Sequence, residues 1–277
     1  MRIYISADIE GVAAVCGAQQ TQPTGFEFTQ ACKWMTREVV AAAEAAHDAG
    51  ASEVVVADGH GTAQNILPDE LPDYVSLIRS WPRPLLQMQG IEDGVYDAAL
   101  YIGHHTSITS ATGLRSHTYH GGCIRDIRLN GISQSETTLN TMLATHYGVP
   151  VIFSAGDADY IDHVREMNPG IETVVTKKVY GYGAINTLTP KVSAEAIHEG
   201  VKRAFARRDE INMLPLPDQF QLEMEFQGRS QTELWELLPW VSRADAFTIA
   251  ADLNSMEDVM KLITFAIMYQ ASGIPGF

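Results

Sequence analysis

Positive charge is scarce in this chain: 19 Lys and Arg stand against 34 Asp and Glu, a formal charge of −15 over 277 residues. Phosphate binding needs clustered cations, so this balance argues against nucleic acid or an anionic membrane as partners. Cysteine is scarce too. Cys16, Cys32 and Cys123 are odd in number, far apart and outside any C-x-x-C spacing. They fit neither a disulfide framework nor a zinc knuckle and read as free thiols in a reducing compartment. No apolar run is long enough to span a bilayer. The apolar start is too short for a signal peptide and runs straight into Asp8, so a soluble, cytoplasmic protein is expected. Internal repeats and low-complexity segments are absent.

What remains is an ordinary globular composition, 45% hydrophobic and 19% charged. A chain of this length buries roughly 75% of its unfolded surface and needs no covalent staples. It exceeds the common domain size, which predicts one large domain or a large one with a small one.

The opening stretch, Met1 to Glu10, reads as a strand ending in Asp8-x-Glu10. Side chains alternate along a strand, so the two acids project to one side, roughly 7 Å apart. Gly11 ends it, a loop follows to about Phe28, and Thr29 to Ala49 reads as a helix with Cys32, Met35, Val39 and Ala46 near one face. Glu53 to Asp58 is a continuous apolar strand of the kind covered on both faces, followed by the turn Gly59-His60-Gly61. Residues 62–97 hold Pro68, Pro72, Pro82 and Pro84 and predict short irregular elements. A third strand, Ala98 to Gly103, ends in His104-His105. Strand, helix, strand, crossover, strand is the signature of a parallel sheet.

Thr106 to Gly122 is nearly free of aliphatic residues and carries Arg115, His117 and His120, as functional loops do and plain solvated ones do as well. Asn130-Gly131 is the strongest hairpin signal in the chain. Further expected elements are a helix from Ser133 to Tyr147, a strand from Val149 to Ala155 and a helix from Asp157 to Met167. A strand from Glu172 to Val179 and a helix capped by Thr189-Pro190 follow. Pro215 and Pro217 mark a boundary. Beyond it the pattern predicts strands at 220–226 and 246–251, a short helix opened by the capping box Ser230-x-x-Glu233, and an apolar helix from Ser255 to Tyr269. The fold class is therefore α/β: a mostly parallel sheet flanked by helices over residues 1–212, with a smaller C-terminal α+β unit over 213–277. That unit is expected to pack on the main domain or in an oligomer interface.

Three strand ends thus carry Asp8 and Glu10, His60, and His104 with His105. In an open α/β sheet the carboxyl ends of the strands line one crevice, so these groups can converge. Two carboxylates at ~4 Å repel by about 4 kcal/mol at an effective dielectric near 20, and a cation relieves that. Carboxylates with imidazoles and no thiolate suit a transition metal, zinc in a catalytic site. Lone strand-end histidines are more often structural, so this reading depends on convergence.

The segments Asp8-Ile-Glu10-Gly11, Val56-Ala-Asp58-Gly-His60, Leu100-Tyr-Ile-Gly103-His-His105, Ser116-His117 and Glu136-x-x-Leu-Asn140, taken in that order, resemble the D-aminopeptidase family of zinc metallopeptidases. The resemblance continues through Ala155-Gly-Asp157 and Leu188-Thr-Pro190 and covers essentially the whole chain. It implies two zinc ions sharing Asp8, with Glu10, His60, a third-strand histidine and Glu136 as the remaining ligands, and His117 as the catalytic histidine. Family members resemble Gly-Tyr-His-Ala where this chain has Gly103-His104-His105-Thr106. That register points to His105 as the ligand, and alternation sends the His104 ring to the other side. The substrate implied is a short peptide with a free amino terminus and a D-residue first, such as D-Ala-D-Ala. Founding members assemble as a decamer of stacked pentamers, so a homo-oligomer is implied. Two other readings stay open: a two-metal amidohydrolase acting on L-peptides or a non-peptide small amide, and a non-catalytic binding module. Asp157 reads as a helix cap, while Lys177 could meet a substrate carboxylate or merely end a strand.

Overall fold

A computed structural model describes residues 1–268. Its central layer is built from β1 (Arg2–Ala7), β2 (Glu53–Asp58), β3 (Val75–Ile78) and β4 (Ala98–His104). A hairpin, β5 (Ile124–Leu129) and β6 (Ile132–Ser133), follows, and then β7 (Val151–Asp157), β8 (Glu172–Val179) and β9 (Ile185–Thr187). The seven-stranded sheet runs in the order β3-β2-β1-β4-β7-β8-β9, parallel throughout except for the antiparallel edge strand β9. After β1 the chain builds outward through β2 and β3, then returns to lay β4 on the other side of β1. This reversal makes the carboxyl ends of β1 and β4 a topological switch point, where open α/β sheets form their binding crevice.

Helices flank the sheet. They are α1 (Ala18–Thr21), α2 (Phe28–Asp48), α3 (Glu136–His146), α4 (Ala158–Met167) and α5 (Pro190–Ala206). In α2 the buried residues Ala31, Cys32, Met35, Val39, Ala42 and Ala46 recur at helical spacing, and Gly50, in the left-handed region at φ +100°, lets the chain turn out. Helices α2 and α5 pack on one another and on the sheet. Helix starts follow local chemistry. Asp157 accepts hydrogen bonds from the backbone of Asp159 and Tyr160, Thr189 accepts from Val192 with Pro190 next, and Ser135 accepts from Thr138. The expected helix from Ser133 therefore begins at Glu136, because Ser133 completes the β5–β6 hairpin instead. That hairpin turns at Asn130 and Gly131, both with positive φ (53° and 78°), as a tight two-residue turn requires.

The remaining elements are β10 (Phe220–Phe226), α6 (Arg229–Trp235), β11 (Ser242–Arg243), β12 (Thr248–Leu253) and α7 (Met256–Met268). They form a second, antiparallel sheet ordered β11-β12-β10-β5-β6. The small unit expected over 213–277 is therefore not closed on itself: its strands need the hairpin at 124–133, with β10 paired to β5 from Leu222–Leu129 to Phe226–Ile124. The alternating strand β10 buries Phe220, Leu222, Met224 and Phe226, and the hairpin supplies the neighbour that covers its edge. Residues 269–277 of that unit, with the expected helix end at Tyr269, lie outside the described residues.

The expected capping box at Ser230 is not formed. Gly228 is the N-cap without a side-chain bond, Ser230 lies inside the first turn, and Glu233 accepts from Arg229 one turn back (2.8 Å). The short strands β3, β9 and β11 carried no sequence signal. They are edge segments held by a neighbour rather than by their own pattern.

Candidate metal centre

The chain beyond β1 stays attached to β4. Asp8 N donates to Ile102 O (2.8 Å) and Gly11 N to Gly103 O (2.7 Å), so Asp8-Ile9-Glu10 is held across the crevice mouth. Two glycines permit the approach. A Cβ on Gly11 would collide with the backbone of Gly103 and His104, and one on Gly103 (φ +72°) would meet Asp8 O. Lys177, buried at the end of β8, closes the same loop from below. Its Nζ donates to the carbonyls of Glu10, Val12 (2.7 Å) and Val15 (2.6 Å). Lys177 thus does more than end its strand: its ammonium is spent on these three carbonyls.

His60 follows β2 in a turn that Asp58 organises by accepting from Asn65 N (2.6 Å), Asn65 Nδ2 (2.8 Å) and Ile66 N (2.9 Å). His60 Nδ1 lies 3.2 Å from Asp8 Oδ1 and 2.9 Å from Glu10 Oε2. From β4, His105 Nε2 lies 3.6 Å from the other Asp8 oxygen, Oδ2, and 3.5 Å from Glu136 Oε1. Glu136 stands in the first turn of α3, where the helix dipole favours an acid. His117 stacks on His105 with ring centroids 4.1 Å apart, and its Nε2 is 3.9 Å from Glu136 Oε1. His104 takes the opposite side. It is buried against Tyr101 and Tyr160, its Nε2 within 3.2 Å of Ser6 O, and burial pushes its pKa down to about 4.

All three crevice imidazoles are oriented the same way. His60 Nε2 bonds Thr21 O (2.6 Å), His105 Nδ1 bonds Thr106 O (2.8 Å) and His117 Nδ1 bonds Arg115 O (2.8 Å). A carbonyl only accepts, so each of these nitrogens carries the proton. With a metal bound, the neutral ring would present the other nitrogen's lone pair to it, as histidine ligands oriented in this way do. His105 Nε2 is buried without a hydrogen-bond partner. Among the described residues, two sets have ligand atoms within 4.8 Å of one another: Asp8, Glu10 and His60, and His105, His117 and Glu136. Asp8 stands between them with one oxygen toward each. The residues fit a pair of divalent cations.

The electrostatics agree. Burial and then the Glu10 charge push the Asp8 carboxyl up to about 7, against the pull of His60 and His105. Burial works to lower the His105 pKa, yet Glu136 and Asp8 carry it up to about 9. His60 is likewise held well above its ordinary value by Glu10 and Asp8, against its burial. Burial and the neighbouring His105 lower that of His117. Acids and imidazoles forced together out of water demand positive charge between them.

One participant carried no sequence signal. Gln87, in a 3₁₀ turn within the proline-rich stretch, donates from Nε2 to Glu136 Oε2 (2.5 Å) and reaches Asp8 Oδ2 (3.3 Å). Asn140 Nδ2 donates to Gln87 Oε1 (2.7 Å), and the Tyr119 hydroxyl to Asn140 Oδ1 (3.1 Å). The amide thus holds an acid from each half of the centre. Around the cluster opens a cavity of about 760 Å³, lined also by Trp81, Ile108, Arg115, Tyr119, His120 and Tyr182.

The model of the D-aminopeptidase family, peptidase M55, matches residues 1–265. This chain belongs to the D-aminopeptidase family. Among the family's proteins, the D-aminopeptidase of Bacillus subtilis (strain 168) is 27% identical over 239 residues, 86% of each chain. A solved structure described as the Zn-dependent D-aminopeptidase DppA from Bacillus subtilis, a self-compartmentalizing protease, superposes with a TM-score of 0.92 at 24% identity. The match covers 98% of this chain and 99% of that one, so the D-aminopeptidase fold extends over both layers described above.

Proposed function

We propose that this member of the D-aminopeptidase family is a zinc-dependent aminopeptidase that removes the N-terminal residue, a D-amino acid, from short peptides at a two-metal centre. One observation carries the reading: the two oxygens of Asp8 face separate ligand groups, His60 with Glu10 and His105 with Glu136. Asp8 is assigned as the shared ligand, Glu10 and His60 as ligands of one ion, and His105 and Glu136 of the other. The chemistry a bound zinc pair supplies is polarisation of the amide carbonyl and a water that loses its proton near neutral pH.

The chain's own groups do the rest. His117 offers Nε2 to the cavity while Arg115 O holds Nδ1, so the ring can accept a proton and hand it to the leaving amine. The cavity is bordered by loops from several elements and suits a short peptide rather than a folded protein. A homo-oligomer, a decamer by the family resemblance, accords with the self-compartmentalizing description of the Bacillus structure. Three free cysteines fit a cytoplasmic location, and among the described residues no helix is long and apolar enough to cross a membrane.

Metal analysis of the purified protein, with hydrolysis assays on D- and L-aminoacyl amides, tests the proposal. Two zinc ions per chain and faster turnover of the D-series are expected. Turnover confined to L-peptides or to non-peptide amides would favour the amidohydrolase alternative, and metal without turnover of any amide would favour a binding module.

A further inference from the structure

Arg115 is the only lysine or arginine among the described residues lining the cavity, whose inner wall carries Asp8, Glu10 and Glu136. Among the described residues nothing pairs with it. No carboxylate lies within ion-pair distance of its guanidinium, and its Nε is buried without a partner. The half-buried Arg128, by contrast, is shared by Asp126, Glu223 and Glu225, and Arg83, buried and also without a carboxylate, donates to Asp58 O (2.6 Å) and lies over the Trp81 ring. Arg115 is half-buried at the cavity wall, its charge without a fixed anion. The backbone also holds a strained conformation at this point, φ +50° in the left-handed region that side-chain-bearing residues avoid. The loop around it is tied by Thr106 Oγ1 to Ser116 Oγ (2.7 Å) and by Ser116 Oγ to Thr112 O (3.0 Å). The residue is thus fixed on a built loop.

Resting on the aminopeptidase reading, we propose that Arg115 binds the free C-terminal carboxylate of the substrate and so directs the enzyme to dipeptides. Arg115 shares the cavity wall with His117, two residues on, and a dipeptide's carboxylate lies one residue, about 3.8 Å, beyond its scissile bond. The planar guanidinium matches a carboxylate with two parallel hydrogen bonds, a geometry an ammonium does not offer. Among the described residues, Arg115 is the one Lys or Arg on the cavity wall that can meet the dipeptide's carboxylate. A longer peptide presents a neutral amide at the same place and gains nothing from it.

An acidic side chain on the second residue offers the same chemistry, so the experiment separates the two sources. kcat and KM are measured on D-Ala-D-Ala, D-Ala-D-Ala-NH2 and D-Ala-D-Glu-NH2 for the wild type, Arg115→Lys and Arg115→Met, each with its zinc content. The wild type should prefer the free acid over its amide by about tenfold or more, the scale of a charge-assisted pair. That ratio should collapse through KM in Arg115→Met and fall part-way in Arg115→Lys, while D-Ala-D-Glu-NH2 behaves as the neutral amide. If Arg115→Met does not fold, the Arg115→Lys ratio decides. An acid-to-amide ratio unchanged by substitution overturns the proposal, and so does a wild-type preference for D-Ala-D-Glu-NH2 over D-Ala-D-Ala-NH2. A zinc-loaded wild type that cleaves none of the three overturns the aminopeptidase reading itself, an outcome distinct from turnover without discrimination.

Discussion

The side-chain amide of Gln87 sits 2.5 Å from the carboxylate of Glu136, although the two residues come from unrelated segments of the chain. Its second contact, to Asp8, makes one amide the spacer between the acids of the two half-centres. Asn140 orients the amide and Tyr119 orients Asn140. Substituting Gln87→Leu should leave the ligands in place but loosely aimed, and weaken metal binding by about 10–100-fold, the usual effect of losing a group that orients ligands. Competition with a chromophoric chelator measures this, and an affinity within twofold of wild type would remove Gln87 from the centre.

The ligand assignment separates Asp8 from His117. Asp8→Ala should lose activity and both ions, because its oxygens face both groups. His117→Ala should lose activity by about 10²–10⁴-fold, the range for a proton-transfer group, with metal content retained. Elemental analysis of the purified variants distinguishes them. Loss of an ion in His117→Ala would instead make His117 a ligand beside His105 and Glu136, with which it clusters.

Lys177 should matter for stability before chemistry. Its ammonium satisfies three buried carbonyls and sets the path of the loop carrying Glu10. Lys177→Met would strand those acceptors at about 1–3 kcal/mol each in the limit of no relaxation. A marked fall in the thermal midpoint, together with weaker metal retention, is expected by calorimetry and chelator competition. An unchanged midpoint would show that water can replace the ammonium.

Glu38, buried in α2, gives the fold a pH dependence away from the metal centre. Its Oε1 accepts from Ala13 N (3.0 Å) and Ser193 Oγ (2.7 Å), and burial pushes its pKa from 4.5 up to about 7. The native state therefore holds a proton that the unfolded chain releases. Stability from this group is fully present below about pH 4.5 and declines as pH rises to about 7, a loss on the order of 3 kcal/mol. Glu38→Gln, which keeps the Oε1 acceptor without the charge, should flatten that slope and be more stable than wild type at pH 8. Denaturant titrations at pH 5 and pH 8 test it, and parallel slopes in the two proteins would contradict it.

Much of this protein was decided locally and is legible in the chain. The strands at 53–58, 172–179 and 220–226 and the capped helices at 158 and 190 follow from apolar runs, breakers and capping side chains that act within a few residues. So does the placing of Asp8, Glu10, His60 and His105 at strand ends; alternation sends His104 and His105 to opposite sides, while the choice of His105 came from the family register. What local pattern does not encode is which strand lies beside which. The order β3-β2-β1-β4, which turns three strand ends into one crevice, is set by burial of the whole sheet. The joining of the 124–133 hairpin to the C-terminal strands is set by the need to pair an open edge. Gln87 belongs wholly to that second kind. Nothing within a few residues of it announces a role, because its partners, Asp8, Glu136 and Asn140, meet it only when β1, the proline-rich crossover and α3 have packed together.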